Sequence, residues 1–220
     1  MEGFYMDKYC VVKAIEETGI VAILRGTGSD ELLKIADALY DGGIRAIEVT
    51  CNTQGYLGMI QSLTDEMGDK MVIGAGTVLS PVTAQLVIDA GAKFVLAPDL
   101  NPEVVQLVHQ NQKLAIPGVT SVTEMMTAYR LGVDIVKLFP AGALGPRYLK
   151  DVRGPLNNAA VMPVGGITLD NLAEFVQAGA YAFGIGGELV DKKAIAQGNY
   201  AAITEKAKAF IDAFQKAKSK

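Results

Sequence analysis

Two cysteines and one histidine in 220 residues exclude more chemistry than any other feature of this chain. Cys10 and Cys51 have no Cys or His around them at the spacing of a metal or redox site, so both read as reduced thiols. His109 falls on the side of an expected helix running from Asn101 through His109, where packing or surface exposure is the simpler role. Ser-His-Asp and Cys-His catalysis would both depend on that one ring. No apolar stretch is long enough to cross a bilayer. The opening Met1-Glu2-Gly3-Phe4-Tyr5-Met6-Asp7 is not a basic region followed by an apolar one, so the expectation is a cytoplasmic protein with no membrane partner. Charge of one sign is not concentrated anywhere: the formal net charge is −4 and the basic residues are scattered, so nucleic acid is not an expected partner. A Ser/Gly/Pro-rich linker is also missing. With 50% apolar residues, residues 1–220 are expected to form one domain around one core.

What is present is a repeat. Short β-branched runs alternate with amphipathic stretches, the pattern of successive βα units on a parallel sheet. Eight runs can be counted: Val21–Leu24, Ile44–Val49, Met71–Gly74, Phe94–Leu96, Leu114–Ile116, Ile135–Leu138, Ala160–Val164 and Tyr181–Ile185. Ser80-Pro81 and Asn101-Pro102 read as helix caps with proline in the first turn, and Ser121-Val122-Thr123-Glu124 as a capping box. Gly43, Gly91, Gly132 and Gly179 each close a helix before a strand, about 40 to 50 residues apart, which corresponds to two βα units. The expected fold is an α/β (β/α)8 TIM barrel. An extra helix over Met6 to Thr18 would cover its lower end. A last helix would bury Ile203, Ala207, Phe210, Ile211 and Phe214 and turn its lysines to solvent.

Lys137 interrupts the apolar run Ile135-Val136-Lys137-Leu138-Phe139-Pro140. A buried ammonium costs several kcal/mol, so an amine held there lowers its pKa and becomes a nucleophile. Side chains alternate along a strand, which puts Lys137 on one face with Ile135 and Phe139, Glu48 with Ala46 and Thr50, and Arg25 with Val21 and Ile23. Thr77 follows the third run. Arg25, Glu48, Thr77 and Lys137 all fall late in their runs, at the mouth where barrel enzymes keep their active sites, whereas Arg45, Lys93 and Asp134 stand at strand starts and read as a solvated rim. Any one of the four could be a polar strand end; together they point to a catalytic cluster. Gly165-Gly166 and Gly186-Gly187 follow the seventh and eighth runs, where barrels commonly bind phosphate through backbone N–H groups. Tight turns would explain each pair alone.

These residues resemble the class I 2-keto-3-deoxy-6-phosphogluconate (KDPG) and 4-hydroxy-2-oxoglutarate (KHG) aldolase family. The resemblance covers nearly the whole chain and rests on Gly42-Gly43-Ile44-Arg45-Ala46-Ile47-Glu48-Val49-Thr50, Gly74-Ala75-Gly76-Thr77-Val78, Ile116-Pro117-Gly118-Val119, Val136-Lys137-Leu138-Phe139-Pro140-Ala141 and Val164-Gly165-Gly166-Ile167. It implies a metal-independent homotrimer without a cofactor, acting on a small 2-keto acid. It further implies Lys137 as the Schiff-base lysine, Glu48 as general acid and base, Thr77 as a carboxylate contact, and Pro98 and Phe139 as pocket walls. The expected reaction is cleavage of a 2-keto-3-deoxy-6-phospho sugar acid to pyruvate and glyceraldehyde 3-phosphate, with 4-hydroxy-2-oxoglutarate as a second substrate.

Three positions depart from the family pattern. Asn52 stands where relatives carry a carboxylate-binding arginine, and Arg25 in Ile23-Leu24-Arg25-Gly26 is the expected replacement, as in phosphogalactonate aldolases. Val164, expected in the pocket wall, replaces a threonine, which leaves selectivity between gluconate and galactonate epimers open. Glu188 follows Gly186-Gly187 where some relatives have serine near phosphate. The alternatives are therefore an aldolase for the galactonate epimer, or a non-catalytic barrel that binds a sugar phosphate. An epimerase or decarboxylase would need a metal cluster or paired acids that the sequence does not obviously supply.

Overall fold

Parallel strands need a connection that carries the chain back to the starting edge, and an amphipathic helix does this while covering the sheet. The computed structural model describes residues 8–26, 28 and 30–219, and this alternation runs through all of it. The elements are α1 (Lys8–Thr18), β1 (Ile20–Leu24), α2 (Leu32–Asp41), β2 (Ala46–Thr50), α3 (Tyr56–Met67), β3 (Val72–Gly76), α4 (Pro81–Asp89), β4 (Phe94–Leu96), α5 (Pro102–Gln110), β5 (Leu114–Ile116), β6 (Gly118–Val119), α6 (Val122–Arg130), β7 (Val136–Leu138), α7 (Ala141–Arg153), β8 (Val161–Pro163), α8 (Leu169–Gln177), β9 (Phe183–Ile185), α9 (Lys192–Ala196) and α10 (Tyr200–Lys218). All eight expected runs contain strand. The count is nine because the chain pairs again just beyond the fifth run, in the two-residue β6: Pro117, between β5 and β6, has no N–H to give to a ladder, although its carbonyl still accepts from Lys137 N at 2.9 Å.

Every pairing is parallel. One sheet has the order β5-β4-β3-β2-β1-β9 and the other β6-β7-β8, and a bridge from Val164 to Gly184 links the end of β8 to β9. The sheet is curled, and its two faces bury separate apolar sets. Ile20, Ala22, Leu24, Ile47, Val49, Ile73 and Ala75 pack with the helices. Val21, Ile23, Ala46, Val72, Phe94, Leu114, Ile135 and Met162 form an inner cluster. Val11 and Ile15 of α1 join the inner cluster. The expected first helix is therefore present from Lys8, while Met6 and Asp7 lie outside the described residues. Inside, Phe94 fills the space left by Gly74, where a Cβ would come within 2.5 Å of the ring.

Helix punctuation follows the local chemistry. Ser80 accepts from Thr83 N, Asn101 from Glu103 N, and the Ser121–Glu124 capping box is complete. The four glycines anticipated as helix stops have φ of 94, 107, 81 and 95°. Each sits in the same double hydrogen bond: Gly43 N to Tyr40 O with Ile44 N to Leu39 O, repeated at Gly91, Gly132 and Gly179. These are Schellman stops, which satisfy the last carbonyls and turn the chain into the next strand. In α10, Ile203, Ala207, Phe210 and Phe214 are buried and Ile211 is partly so. Phe183 of β9 meets Phe175 and Phe214 edge-on, with ring centroids 6.5 and 6.1 Å apart, which ties α8 and α10 to the sheet. Among the described residues no helix is long and apolar enough to cross a membrane.

Candidate active site

Among the described residues, the buried polar or charged side chains are Thr18, Glu48, Thr50, Thr53 and Lys137. Four of these five belong to β2 and β7: Glu48 and Lys137 are the central residues of their strands, Thr50 ends β2 and Thr53 follows it. Glu48 is 1% exposed and Lys137 3%, and each stands beside small residues. Glu48 is level with Gly74 across the β2–β3 ladder, and Lys137 is level with Gly118. A Cβ on Gly76 would lie 1.6 Å from Glu48 Oε1, so the carboxylate occupies the volume that a side chain would take. Gly76→Ala is therefore expected to displace Glu48 and to cut turnover far more than a surface Gly→Ala change would. Comparison of kcat for Gly76→Ala and Gly58→Ala, an exposed position of α3 where a Cβ would meet nothing within 4 Å, tests this. Gly118 serves similarly: a Cβ there would be 2.2 Å from the Pro98 carbonyl oxygen.

Both oxygens of Glu48 are buried without a hydrogen-bond partner. Burial pushes its pKa up, and the positive charges of Lys137 and Arg25 offset this in part. Burial likewise pushes the Lys137 amine below its ordinary value. Glu48 opposes the shift and Arg25 adds to it. The three groups thus share one electrostatic site. The Lys137 Nζ also lies 5.1 Å from the Phe139 ring centroid, which places the anticipated aromatic neighbour against the amine. A buried amine whose pKa is lowered, beside a carboxyl group whose pKa is raised, is suited to carbinolamine and imine chemistry.

Phe139 connects this pair to a cleft of about 580 Å³. Arg25, Val164 and the glycines 165, 166, 186 and 187 all line it, so the strand-one arginine and both glycine turns meet at one opening. Gly165 and Gly166 have φ of 85 and 75°. Their turn is held from outside, by Gly142 N donating to Gly165 O at 2.8 Å and by Asn171 Nδ2 donating to Gly166 O at 2.8 Å. Glu188 faces the cleft as well, accompanied by Glu31 and Lys192, two charges that sequence reasoning missed. Lys192 is in the short α9, and no run or motif marked it. Lys137, Glu48, Thr77 and Pro98 are not part of that lining. Thr77 follows β3, half-buried, with φ 57°, and Pro98 follows β4, also half-buried.

The bland assignments also have a place. Arg45 donates to Tyr40 O and Ile44 O at 2.9 and 2.8 Å, and Asp134 pairs with Lys8 at 2.7 Å. Burial holds the Cys51 thiol up at about 12, with Glu48 adding to the effect, so it stays protonated. His109 is on α5, its pKa lowered first by burial and then by Lys8, and neither Glu48 nor Lys137 acts on it. Among the described residues no group of three or more His, Cys, Asp or Glu is arranged to hold a metal ion.

Residues 11–206 match the family model described as KDPG and KHG aldolase. The chain is 36% identical over 171 residues to the 2-dehydro-3-deoxy-6-phosphogalactonate aldolase of Escherichia coli, covering 77% of this chain and 83% of that protein. It is 35% identical to the 2-dehydro-3-deoxy-phosphogluconate aldolase of Treponema pallidum, over 88% of this chain and 92% of that one. Among solved structures it superposes with a TM-score of 0.85 on the KDPG aldolase of Legionella pneumophila, in which pyruvate is captured at low pH as a covalent carbinolamine intermediate. That match has 30% identity over 90% of this chain and 97% of that one. The chain belongs to the KDPG and KHG aldolase family. It is a class I aldolase, a carbon–carbon lyase of the KDPG type.

Proposed function

We propose that Lys137 is the Schiff-base residue and that the enzyme cleaves a 2-keto-3-deoxy-6-phospho sugar acid to pyruvate and glyceraldehyde 3-phosphate, with 4-hydroxy-2-oxoglutarate, cleaved to pyruvate and glyoxylate, as a second substrate. The observation that carries this reading is the buried, electrostatically coupled Lys137–Glu48 pair beside the cleft. The neutral amine attacks the keto carbon to give a carbinolamine, and loss of water gives an iminium. Glu48 delivers the proton that leaves with that water and then takes the C4 hydroxyl proton, directly or through a water. The C3–C4 bond breaks, its electrons pass into the iminium to give an enamine, and the aldehyde departs. Protonation at C3 and hydrolysis release pyruvate and restore the amine.

Arg25 and Thr77 would hold the pyruvyl carboxylate, with Arg25 the stronger anchor if it binds in a bidentate fashion. Pro98, Phe139 and Val164 would form the pocket wall. Backbone N–H groups at Gly165, Gly166, Gly186 and Gly187 would receive the phosphate, and Lys192 would offset the charge of Glu188. The remaining proposals are a single domain, a closed (β/α)8 barrel with α1 over its lower end, cytoplasmic location, no cofactor and a homotrimer. The barrel reading is supported by the β1–β9 pairing and the Val164–Gly184 bridge.

The galactonate epimer is the second reading. It is favoured by Arg25 at the cleft and by Val164, which brings no hydroxyl to the wall. Incubation with pyruvate and borohydride, followed by intact mass and peptide mapping, should give a reduced pyruvyl adduct on Lys137. An adduct elsewhere, or none in folded protein, removes the assignment. A panel of both phosphorylated epimers and 4-hydroxy-2-oxoglutarate, compared by kcat/KM, then selects the substrate.

A further inference from the structure

Two buried hydroxyls at the end of β2 have no part in the chemistry described so far. Thr50 and Thr53 are 0% and 4% exposed, so neither can look to bulk water for a partner. A turn closed by Thr53 N donating to Thr50 O at 2.9 Å brings the second hydroxyl back beside the first, 3.1 Å from Oγ1 to Oγ1. From there the pair reaches the neighbouring strand. Thr50 Oγ1 donates to Leu24 O at 3.3 Å, and Gly26 N donates to Thr53 Oγ1 at 3.0 Å.

Counting protons gives this set a direction. A hydroxyl carries one proton and can accept twice. The Thr50 proton is committed to the Leu24 carbonyl, so in the contact between the threonines Thr53 is the donor, which leaves its lone pairs for the Gly26 N–H. The relay runs from Gly26 N–H to Thr53, from Thr53 to Thr50 and from Thr50 to the Leu24 carbonyl. Its ends are the two peptide groups that flank Arg25. Leu24 is the last residue of β1 and Gly26, at φ 62°, has already left the strand, so the ladder no longer fixes the backbone there. Hydrogen bonds in such a chain polarise one another, and the branched Cβ of threonine restricts where each hydroxyl can point.

We propose that Thr53, acting with Thr50, is a positioning residue that fixes the backbone on both sides of Arg25 and so aims its guanidinium at the substrate carboxylate. The proposal rests on the reading of Arg25 as carboxylate anchor. A loosened arginine weakens binding of every 2-keto acid, pyruvate included, while the amine and the acid–base group stay in place.

The test is a double-mutant cycle. Thr53→Val keeps shape and removes the acceptor and donor; KM for pyruvate-forming substrate and the half-saturating pyruvate concentration for borohydride trapping are expected to rise about ten-fold, more than kcat falls. Thr53→Ser restores the hydroxyl and should return both to within about three-fold of the parent. In an Arg25→Met background, Thr53→Val should add less than about two-fold, because the residue it acts through is gone. Thr53→Cys, a weak acceptor, gives the same comparison should the valine variant not fold. Unchanged KM in folded Thr53→Val, or a ten-fold effect that persists without Arg25, overturns the relay. Unchanged KM in Arg25→Met overturns the carboxylate assignment instead, so the two failures are distinguishable.

Discussion

Lys137→Arg is expected to abolish turnover, by at least about 10³-fold, and with it the borohydride-trapped pyruvate adduct. A guanidinium keeps the positive charge that Glu48 sees but stays protonated, so it cannot attack a carbonyl. Residual turnover near the parental rate would remove the imine route. The same pair should also limit stability. Burial lowers the pKa of Lys137 and raises that of Glu48, and both shifts mean that the folded state disfavours the charged forms. For the lysine, whose folded pKa is depressed, the penalty is full below the folded pKa and disappears as pH rises through the unfolded value of about 10.4. For the glutamate the penalty is absent below about 4.3 and grows as pH rises to the raised folded pKa. The inactive double variant Lys137→Met/Glu48→Gln should therefore be more stable than the parent by about 1–4 kcal/mol near neutrality. Its advantage in denaturant should shrink toward either extreme of pH. Lys137→Met alone should gain less, because it leaves the carboxyl group without its counter-charge.

The strand and helix order was legible because it rests on local rules. Proline after a cap residue, a Ser-x-x-Glu box and glycine at a helix stop each act within a few residues, and the structure uses them as written. Lys137 and Glu48 were legible for a related reason: a charge in an apolar run is costly and therefore informative. What stayed hidden depends on pairs distant in sequence. Gly76 looks like an ordinary turn residue until Glu48 Oε1 is found in the volume of its absent side chain. Thr53 reads as a loop threonine, and its contact with the chain beyond β1 shows only when the fold brings Gly26 N–H to 3.0 Å from its hydroxyl. Lys192 and Glu31 are surface charges by any local criterion, and only the cleft gives them a common address. The break between β5 and β6 was readable in principle, since Pro117 cannot donate to a ladder. The run was bounded at Ile116 and the short pairing of Gly118 and Val119 beyond it was not anticipated.

Glu48→Gln is expected to lower kcat by about 10²–10⁴-fold while the protein still forms a trappable adduct with pyruvate. Glutamine has the right shape for a space that Gly76 leaves with nothing to spare, so the change removes proton transfer with little disturbance of packing. Enamine formation from bound pyruvate requires removal of a methyl proton, and that step can be followed without any aldehyde. Exchange of the pyruvate methyl protons in deuterated water, read by NMR, should slow in parallel with kcat. Exchange at the parental rate would assign the base to another group. The substitution also has a signed effect on pH dependence. The Glu48 carboxylate raises the pKa of the Lys137 amine against the lowering effects of burial and Arg25. Its loss should move the acid limb of adduct formation to lower pH. Arg25→Met should move that limb the other way, because Arg25 lowers the pKa of the amine. Opposite displacements from two neutralising substitutions are the pattern expected of one amine held between a carboxylate and a guanidinium, and a common direction for both would place the titrating group elsewhere.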